Sequence, residues 1–240
     1  MFYGGNPSMY DRLLDVFVNV AVFSTICLFL TGFEICWRIK KQNSSTGISS
    51  APFHMGVISG SLWLQYGLLK GDSNITTVNI VSSFLYSLYI GYYWTKTSYP
   101  AKKTQTRIII IEITFLLCVV FYVHKTYMDT KTILQCLGIM CMVFNIGTIS
   151  APLISLNEVI RSRSTESLPL PLCIANFLVT LQWLVYGILA SDVFILIPNA
   201  IALFTSLCQI LLFFLYPRRR KLSSSESVNE NIEESFLLLS

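Results

Sequence analysis

Residues 63–79 of the chain read WLQYGLLKGDSNITTVN, and residues 183–199 read WLVYGILASDVFILIPN. The two stretches lie 120 residues apart (183 − 63) and share residues at eight of seventeen positions, three of them aliphatic. The other five shared residues are Trp63, Tyr66, Gly67, Asp72 and Asn79, matched by Trp183, Tyr186, Gly187, Asp192 and Asn199. This agreement at one fixed offset is far more than chance supplies, so we interpret it as an internal repeat.

The repeated stretches lie within a chain that is unusually apolar. Of its 240 residues, 53% are hydrophobic and only 12% are charged, whereas a soluble domain carries about 25% charged residues. A helix crosses a bilayer with about 20 mostly apolar residues, and runs of this kind occupy residues 14–37, 51–70, 75–95, 107–124, 133–156, 168–190 and 193–216. Because backbone groups in lipid need internal partners, each run is predicted to be a helix.

The repeat and the apolar runs together predict the fold class. Spans 1–3 correspond to spans 5–7, and span 4 has no counterpart. We therefore predict an all-α membrane protein with seven transmembrane helices, arranged as two parallel three-helix repeats joined by a linker helix. The expected divisions are residues 1–97 for the first repeat, 98–131 for the linker, 132–217 for the second repeat and 218–240 for a disordered cytosolic tail. In transporters built from parallel repeats, the substrate binds near mid-membrane between the repeats.

The basic residues predict the orientation in the membrane. Thirteen of the seventeen lysines and arginines follow spans 1, 3, 5 and 7, while Arg12, Lys70, Lys125 and Lys131 lie on the other side. Positive residues accumulate on the cytosolic side, so the N-terminus is expected outside or in a lumen and the C-terminus in the cytosol. The glycosylation sequon at Asn74 falls in an outer loop so short that we expect the membrane surface to hinder modification.

Two pairs of repeated residues are the candidate binding residues. Asn79 and Asn199 offer uncharged donors and acceptors that suit the hydroxyls of a polyol. Trp63 and Trp183 offer an aromatic face for a sugar ring and an N–H donor. The alternatives are that the amides only join helices and that the indoles only pack in the core or at the membrane interface.

A second set of residues is a candidate for hinges. Pro52 opens span 2, Pro152 lies late in span 5, and Pro169 opens span 6, while Gly32 lies 120 residues before Pro152. Proline within a helix removes a backbone hydrogen bond and permits a kink. Breaks at corresponding positions of two repeats are what a rocking movement between them requires.

Other classes of function are less well supported. The net charge of +4 is scattered, which argues against nucleic acid as a partner, and no spacing of residues predicts a metal site, a cofactor site or an enzyme active site. A seven-helix signalling receptor remains an alternative, although receptors lack this repeat. A proton-coupled carrier of the PQ-loop type is a further alternative, but the chain has no Pro-Gln dipeptide and no paired acidic residues within its spans. His54 and Glu112 are interpreted as incidental.

Several stretches resemble the SWEET family of sugar transporters over nearly the whole membrane region. They are Pro52-Phe53, Trp63-Leu64-Gln65-Tyr66-Gly67, Val78-Asn79, Ser150-Ala151-Pro152-Leu153, Glu166-Ser167-Leu168-Pro169, Trp183-Leu184-Val185-Tyr186-Gly187 and Ile197-Pro198-Asn199. The second half is most similar to animal members. The resemblance implies bidirectional, energy-independent movement of mono- or disaccharides, with Asn79 and Asn199 binding sugar hydroxyls between Trp63 and Trp183.

The resemblance also carries expectations about hinges, assembly and location. The family's four hinge prolines would fall at positions 32, 52, 152 and 169, and Gly32 departs from the plant pattern. Members commonly form oligomers, so the resemblance implies a homo-oligomer. Two tryptophans should narrow the pocket and favour a monosaccharide such as glucose. The plasma membrane, Golgi–endosomal membranes or both are the expected location, and the acidic di-leucine-like stretch at residues 233–238 resembles a trafficking signal.

Overall fold

The computed structural model describes residues 9–125, 127–166 and 168–218, and these form nine helices. The helices are α1 (Met9–Phe29), α2 (Gly32–Gln42), α3 (Ala51–Lys70), α4 (Ser73–Thr95), α5 (Ala101–Lys125), α6 (Thr130–Thr148), α7 (Ser150–Ser162), α8 (Leu170–Leu189) and α9 (Val193–Leu215). Ser167 and most of the predicted tail, including the di-leucine-like stretch, lie outside the described residues.

The nine helices form seven spans, because α1 with α2 and α6 with α7 are each one span in two pieces. The sequence predicts helices over 14–37 and 133–156 with flexible points at Gly32 and Pro152, and the structure breaks both spans three residues earlier, since α1 ends at Phe29 and Ile149 separates α6 from α7. These two positions are 120 residues apart (149 − 29). At the first break the amides of Phe33 and Glu34 bind carbonyls only three residues back, the tighter pattern of a 3₁₀ turn. The repeat thus includes a bend at the same place in both units.

Five of the seven spans are long and apolar enough to be recognised by composition alone. They are Arg12–Gln42, Ala101–Lys125, Thr130–Ser162, Leu170–Leu189 and Val193–Leu215. The remaining two, α3 and α4, carry more polar side chains, several of which line an internal cavity rather than the surface. The lower apolar content of α3 and α4 is therefore explained by the polar side chains that they contribute to the wall of this cavity.

The repeated aspartates and glycines have the same structural role in both units. Asp72 and Asp192 are the N-caps of α4 and α9, and Oδ1 of each accepts hydrogen bonds from two backbone amides of the first helical turn. This arrangement satisfies donors that a helix start leaves free. A Cβ added at Gly67 or Gly187 would lie 2.9 Å from a backbone nitrogen of the following span. The second and third spans of each unit therefore approach too closely for any larger residue.

The packing of the helices follows the two units. In the first unit α4 contacts α1, α2 and α3, and in the second α9 contacts α6, α7 and α8. The linker helix α5 packs on α3 and α4. Between the units α1 contacts α8 and α3 contacts α6. These two contacts are equivalent, because the repeat matches α1 with α6 and α3 with α8. The units therefore face each other about a pseudo-twofold axis, as the sequence predicts for parallel repeats.

Candidate functional site

A cavity of about 890 Å³ lies between the two units. We call it the central cavity. It extends to Ser49, Ala51 and Pro52, at the end of the bundle where α9 ends, which we call the carboxyl-terminal end. The opposite end, where α1 begins, is called the amino-terminal end. The cavity's size falls within the range of about 300–1,000 Å³ that is usual for small-molecule sites.

Asn79 and Asn199 both line the central cavity. Each Nδ2 donates to the carbonyl four residues back in its own helix, at 2.8 Å to Ile75 and 2.7 Å to Ile195. Each amide lies six residues past the first residue of its helix, or about 9 Å along the axis. Because the intrahelical bond uses one donor, the amide oxygen and the second N–H stay available to a bound molecule.

Trp63 and Trp183 also line the central cavity, and each stacks edge-on against the tyrosine three residues later. The two indole N–H groups differ. Nε1 of Trp183 donates to Oγ1 of Thr25 on α1 at 2.8 Å, whereas Nε1 of Trp63 has no hydrogen-bond partner within the described ranges. The repeated pair is therefore symmetric in position but not in hydrogen bonding.

The predicted hinge residues fall into two groups. Pro52 and Pro152 line the central cavity, and Pro152 is the third residue of α7, directly after the break in its span. Pro169 is the N-cap of α8. Gly32 begins α2, where a Cβ would lie 2.3 Å from the ring of Tyr89. Neither Pro169 nor Gly32 is among the residues that line the central cavity.

The amino-terminal end of the cavity is closed by two hydrogen bonds that cross between the units. The hydroxyl of Tyr66 donates to Oδ2 of Asp192 at 2.7 Å, and the hydroxyl of Tyr186 donates to Oδ2 of Asp72 at 2.7 Å. Each aspartate therefore caps its own helix with one oxygen and binds the opposite unit with the other. We call these four residues the tyrosine–aspartate gate.

Buried apolar side chains from both units surround the gate. They include Leu62, Ile75, Leu137, Cys141 and Ile195. The residues that line the central cavity include none of the gate and extend to the carboxyl-terminal end at Ser49, Ala51 and Pro52. Sequence reasoning identified the gate residues as marks of the repeat but assigned them no role, since the sequence does not show that the contacts run between the units.

The central cavity is uncharged, and its wall combines apolar side chains with a smaller number of hydroxyl and amide groups. Among the described residues that line it there is no Asp, Glu, Lys, Arg or His. Besides the repeated asparagines, Asn145, Asn176 and Thr180 add polar groups from the second unit, and Thr25, Ser59 and Ser82 add hydroxyl groups from the first. The sequence did not single them out because none has an identical repeat partner. Such a surface suits a neutral solute with many hydroxyl groups.

A buried polar cluster lies outside the central cavity and corrects the interpretation of His54 and Glu112 as incidental. Nδ1 of His54 lies 2.8 Å from the Glu112 carboxylate, and Nε2 lies 2.9 Å from Oε1 of Gln105. Both His54 and Glu112 are only 7% exposed. The cluster joins α3 to the linker helix α5. Its partners are 51 and 58 residues apart in sequence, so no local pattern could reveal it.

Comparison with known proteins gives consistent matches. Residues 15–104 and 135–221 match the family described as "Sugar efflux transporter for intercellular exchange". The chain is 39% identical over 211 residues to the sugar transporter SWEET1 of Caenorhabditis elegans, covering 88% of this chain and 68% of that protein. It is 38% identical to SWEET1 of Drosophila pseudoobscura pseudoobscura, covering 85% of this chain and 90% of that one.

A solved structure and a plant relative extend the comparison. The structure of a eukaryotic SWEET transporter at 3.7 Å resolution superimposes with a TM-score of 0.78 at 24% identity, covering 84% of this chain and 97% of that one. At this identity the likeness supports the fold. The bidirectional sugar transporter SWEET5 of Arabidopsis thaliana is 27% identical, covering 88% of each chain.

Proposed function

The chain belongs to the SWEET family of sugar transporters, and we propose that it is a facilitative, bidirectional uniporter that moves small sugars down their gradient by alternating access. Sugar transport across a membrane follows from the family, and it is not an enzymatic activity. The observation that supports the finer proposal is an uncharged cavity between two repeated units, with hydroxyl and amide groups in its wall, which has the bonded gate at one end and extends to the other.

We assign sugar binding to the four repeated residues of the central cavity. Asn79 and Asn199 would each present a free amide oxygen and N–H to sugar hydroxyls. Trp63 and Trp183 would hold the ring between aromatic faces. The positions of the two pairs support this assignment. All four residues line the same cavity, and the two members of each pair lie at matching depths in the two units.

Alternating access would arise from relative movement of the two units. In the present conformation the tyrosine–aspartate gate is bonded and the carboxyl-terminal end is accessible. Movement that parts the gate would expose the cavity at the amino-terminal end. We propose that the bends after Phe29 and at Ile149, with Gly32, Pro52, Pro152 and Pro169 near the helix starts, take up this movement. We also propose that the first unit ends at residue 97 and that the linker ends at residue 131, where the second unit follows.

The orientation is proposed from charge. Among the described residues, the basic side chains at the carboxyl-terminal end are Arg38, Lys40, Lys41, Lys96, Lys102, Lys103, Arg107, Arg161, Arg163 and Arg218. The amino-terminal end has Arg12, Lys70, Lys125 and Lys131. The excess supports a cytosolic carboxyl-terminal end, so the present conformation would face the cytosol. We also propose that the protein works in the plasma membrane, in Golgi–endosomal membranes or in both. We propose in addition that it assembles as a homo-oligomer.

We propose a monosaccharide such as glucose as the substrate. The whole cavity is larger than one sugar ring requires. Selection by size would therefore take place at the depth of Trp63 and Trp183, where the two indoles reduce the width of the cavity. Sucrose in excess should then compete weakly with glucose. Equal uptake of labelled sucrose and glucose would contradict the choice of a monosaccharide while leaving sugar transport intact.

The first experiment is uptake of radiolabelled glucose by cells that lack their own hexose carriers. We expect saturable uptake by the wild type and loss of that uptake in Asn199→Ala. Asn157→Ala is the matched control, because Asn157 is an exposed asparagine on α7 that does not line the central cavity. Equal surface expression with no uptake of any sugar by the wild type would contradict the proposal, and full uptake by Asn199→Ala would contradict the site.

A further inference from the structure

Basic side chains gather at the carboxyl-terminal end of the first unit and the linker helix. They come from the end of α2, the end of α4 and the start of α5. Two hydrogen bonds join these three helix ends: Nζ of Lys96 donates to Oδ1 of Asn43 at 2.7 Å, and Nε1 of Trp94 donates to Oγ1 of Thr106 at 2.9 Å. We call the basic residues of this surface the basic cluster: Arg38, Lys40, Lys41, Lys96, Lys102, Lys103 and Arg107.

The positive charge of the basic cluster is not balanced by acidic side chains. From residue 35 to residue 111 the only acidic residue is Asp72, which lies at the amino-terminal end. Glu34 precedes Arg38 by one turn of α2, but within the described residues no member of the cluster forms an ion pair. Five members are exposed, and Lys96 and Lys102 are half-buried. The cluster therefore presents its charge to its surroundings.

The positions of these charges do not stabilise the helices that carry them. Lys102 and Lys103 lie in the first turn of α5, which has no acidic residue, and the helix dipole disfavours cations there. Arg38 and Lys41 on α2 are neighbours on the helix surface, as are Lys103 and Arg107 on α5, so like charges repel in both places. Residues that break local rules of stability are expected where they serve a function. A bound polyanion would turn both repulsions into attraction.

The general excess of positive residues on the cytosolic side does not explain why they gather here. That bias concerns the side of the membrane and does not favour one unit over the other. In the second unit, however, the position that matches Arg38 is Glu158, and the position that matches Lys96 is Tyr216. The basic run at 218–221 follows the last helix instead, and residues 219–221 lie outside the described ranges. The basic cluster is therefore not part of the repeat.

Aromatic rings lie beside the lysines of the basic cluster. Nζ of Lys102 is 3.9 Å from the centre of the Trp94 ring, and Nζ of Lys40 is 5.2 Å from that of Trp37. Trp37 is 65% exposed and Tyr99 is 76% exposed. Exposed tryptophans and tyrosines are typical of the level at which lipid headgroups meet the acyl chains. The rings therefore indicate that the cluster lies at the depth of the headgroups.

We infer that the basic cluster binds the headgroup of a phosphoinositide, an anionic lipid with several phosphates, in the cytosolic leaflet. Groups of about four to eight basic residues at the cytosolic end of a membrane helix attract anionic lipids. A headgroup with several phosphates matches seven cations better than one with a single charge. A lipid fits better than a soluble phosphate compound, because its acyl chains would contact the exposed rings. This inference goes beyond sugar transport and uses only the proposed orientation.

The test measures binding of a short-chain phosphatidylinositol bisphosphate to the purified full-length protein in detergent, by isothermal titration calorimetry. Replacement of Lys102 and Lys103 together by glutamine should weaken binding about tenfold to thirtyfold, as the loss of two basic contacts predicts. Replacement of Lys40 and Lys41 by glutamine should weaken it similarly, although these residues lie on a different helix. This second variant keeps the test valid if the first does not fold.

Two control variants make the test specific to this surface. Arg161→Gln with Arg163→Gln removes the same charge from exposed positions of the second unit and should leave binding unchanged. Lys102→Arg with Lys103→Arg keeps the charge and should keep the affinity. Equal weakening by the Arg161 and Arg163 variant would show that only net charge matters and would overturn the site. Unchanged binding in both lysine-to-glutamine variants would overturn it as well.

The choice of ligand and the proposed function are tested separately. Equally tight binding of a short-chain phosphatidylserine would overturn the requirement for several phosphates, and equally tight binding of soluble inositol trisphosphate would overturn the choice of a lipid. Binding is measured without sugar. Lipid binding that depends on the basic cluster, without uptake of any sugar, would therefore support this inference and overturn the proposed function. Normal sugar uptake without lipid binding would overturn this inference and leave the proposed function in place.

Discussion

At the scale of single residues, the two repeated tryptophans differ in what their N–H groups can do. Trp63 lines the central cavity and its Nε1 has no hydrogen-bond partner among the described residues, whereas Nε1 of Trp183 is bonded to Thr25. We therefore expect Trp63→Phe to remove a donor to the sugar and raise the half-saturation concentration about threefold to tenfold, the usual net value of one hydrogen bond. Equilibrium-exchange measurements with labelled glucose would determine it.

The matched variant is Trp183→Phe, which should act through α1 instead. Its effect should equal that of Thr25→Val, and the double variant should be no worse than either single one, because both remove the same bond between the units. Additive losses in the double variant would show that Trp183 also donates to the sugar. An unchanged half-saturation concentration in Trp63→Phe would mean that its N–H does not contact the substrate.

Asn74 gives a second prediction at this scale. It is the second residue of α4, its own amide donates to the capping carboxylate of Asp72, and the adjacent Ile75 is only 2% exposed. Glycosylated asparagines lie in accessible surface loops. We expect the wild type and Asn74→Gln to migrate identically on gels before and after glycosidase treatment. A shift of the wild type alone after treatment would contradict this.

The repeat determined how much of the site could be predicted. Its fixed offset identified both asparagines and both tryptophans, and all four line one cavity, although their roles are untested. It could not identify Asn145 or Asn176, which have different residues at the matching positions. Nor could it pair Tyr66 with Asp192, because a repeat shows which residues correspond and contains no information on which of them touch.

At the scale of helices, the break after α1 depends on close packing in the first unit. A Cβ on Gly32 would lie 2.3 Å from the Tyr89 ring, and the Tyr89 hydroxyl donates to the carbonyl of Phe29 at the break, at 3.3 Å. Gly32→Ala should push Tyr89 away and destabilise the protein by about 1–3 kcal/mol, the usual range for overpacking. Thermal unfolding of purified protein in detergent would measure the loss.

Gly91→Ala on α4 is the matched control for Gly32→Ala. A Cβ there would meet no atom within 4 Å, and alanine favours a helix over glycine by up to about 1 kcal/mol. Gly91→Ala should therefore be neutral or slightly stabilising. If both variants lowered the unfolding temperature equally, the contact with Tyr89 would not be the reason that position 32 is glycine.

The helices also show which features of an element can be predicted. The apolar runs located all seven spans, and Asp72 and Asp192 mark the starts of α4 and α9 through capping, which is a local interaction. Gly32 and Pro152 were predicted as flexible points of their spans, but the breaks at Phe29 and Ile149 lie three residues earlier, because the sequence around them stays apolar and does not define the exact position. At the first break the Tyr89 hydroxyl donates to the carbonyl of Phe29, and this contact between helices arises only on packing.

At the scale of the whole molecule, the absence of charged side chains from the described wall of the central cavity has a consequence for energetics. A carrier that moves a neutral sugar without a coupled ion moves no net charge. Uptake at limiting sugar should therefore be independent of membrane potential and nearly constant from pH 5.5 to 7.5. Unlabelled sugar preloaded in the cells should accelerate uptake of labelled sugar, since the return step is faster when loaded.

The buried His54–Glu112 pair allows a direct test of this prediction, because a proton-coupled carrier would use a buried carboxylate to bind the proton. The pair joins α3 to α5 and does not line the cavity, so Glu112→Gln should affect expression or stability and leave the pH profile flat. Electrical recording during sugar addition, with wild type and Glu112→Gln side by side, is the decisive measurement. A sugar-induced inward current that grows in acid and disappears in Glu112→Gln would replace the uniporter by a proton-coupled carrier. A silent recording together with acceleration by preloaded sugar would leave the sugar gradient as the only driving force acting on the two units.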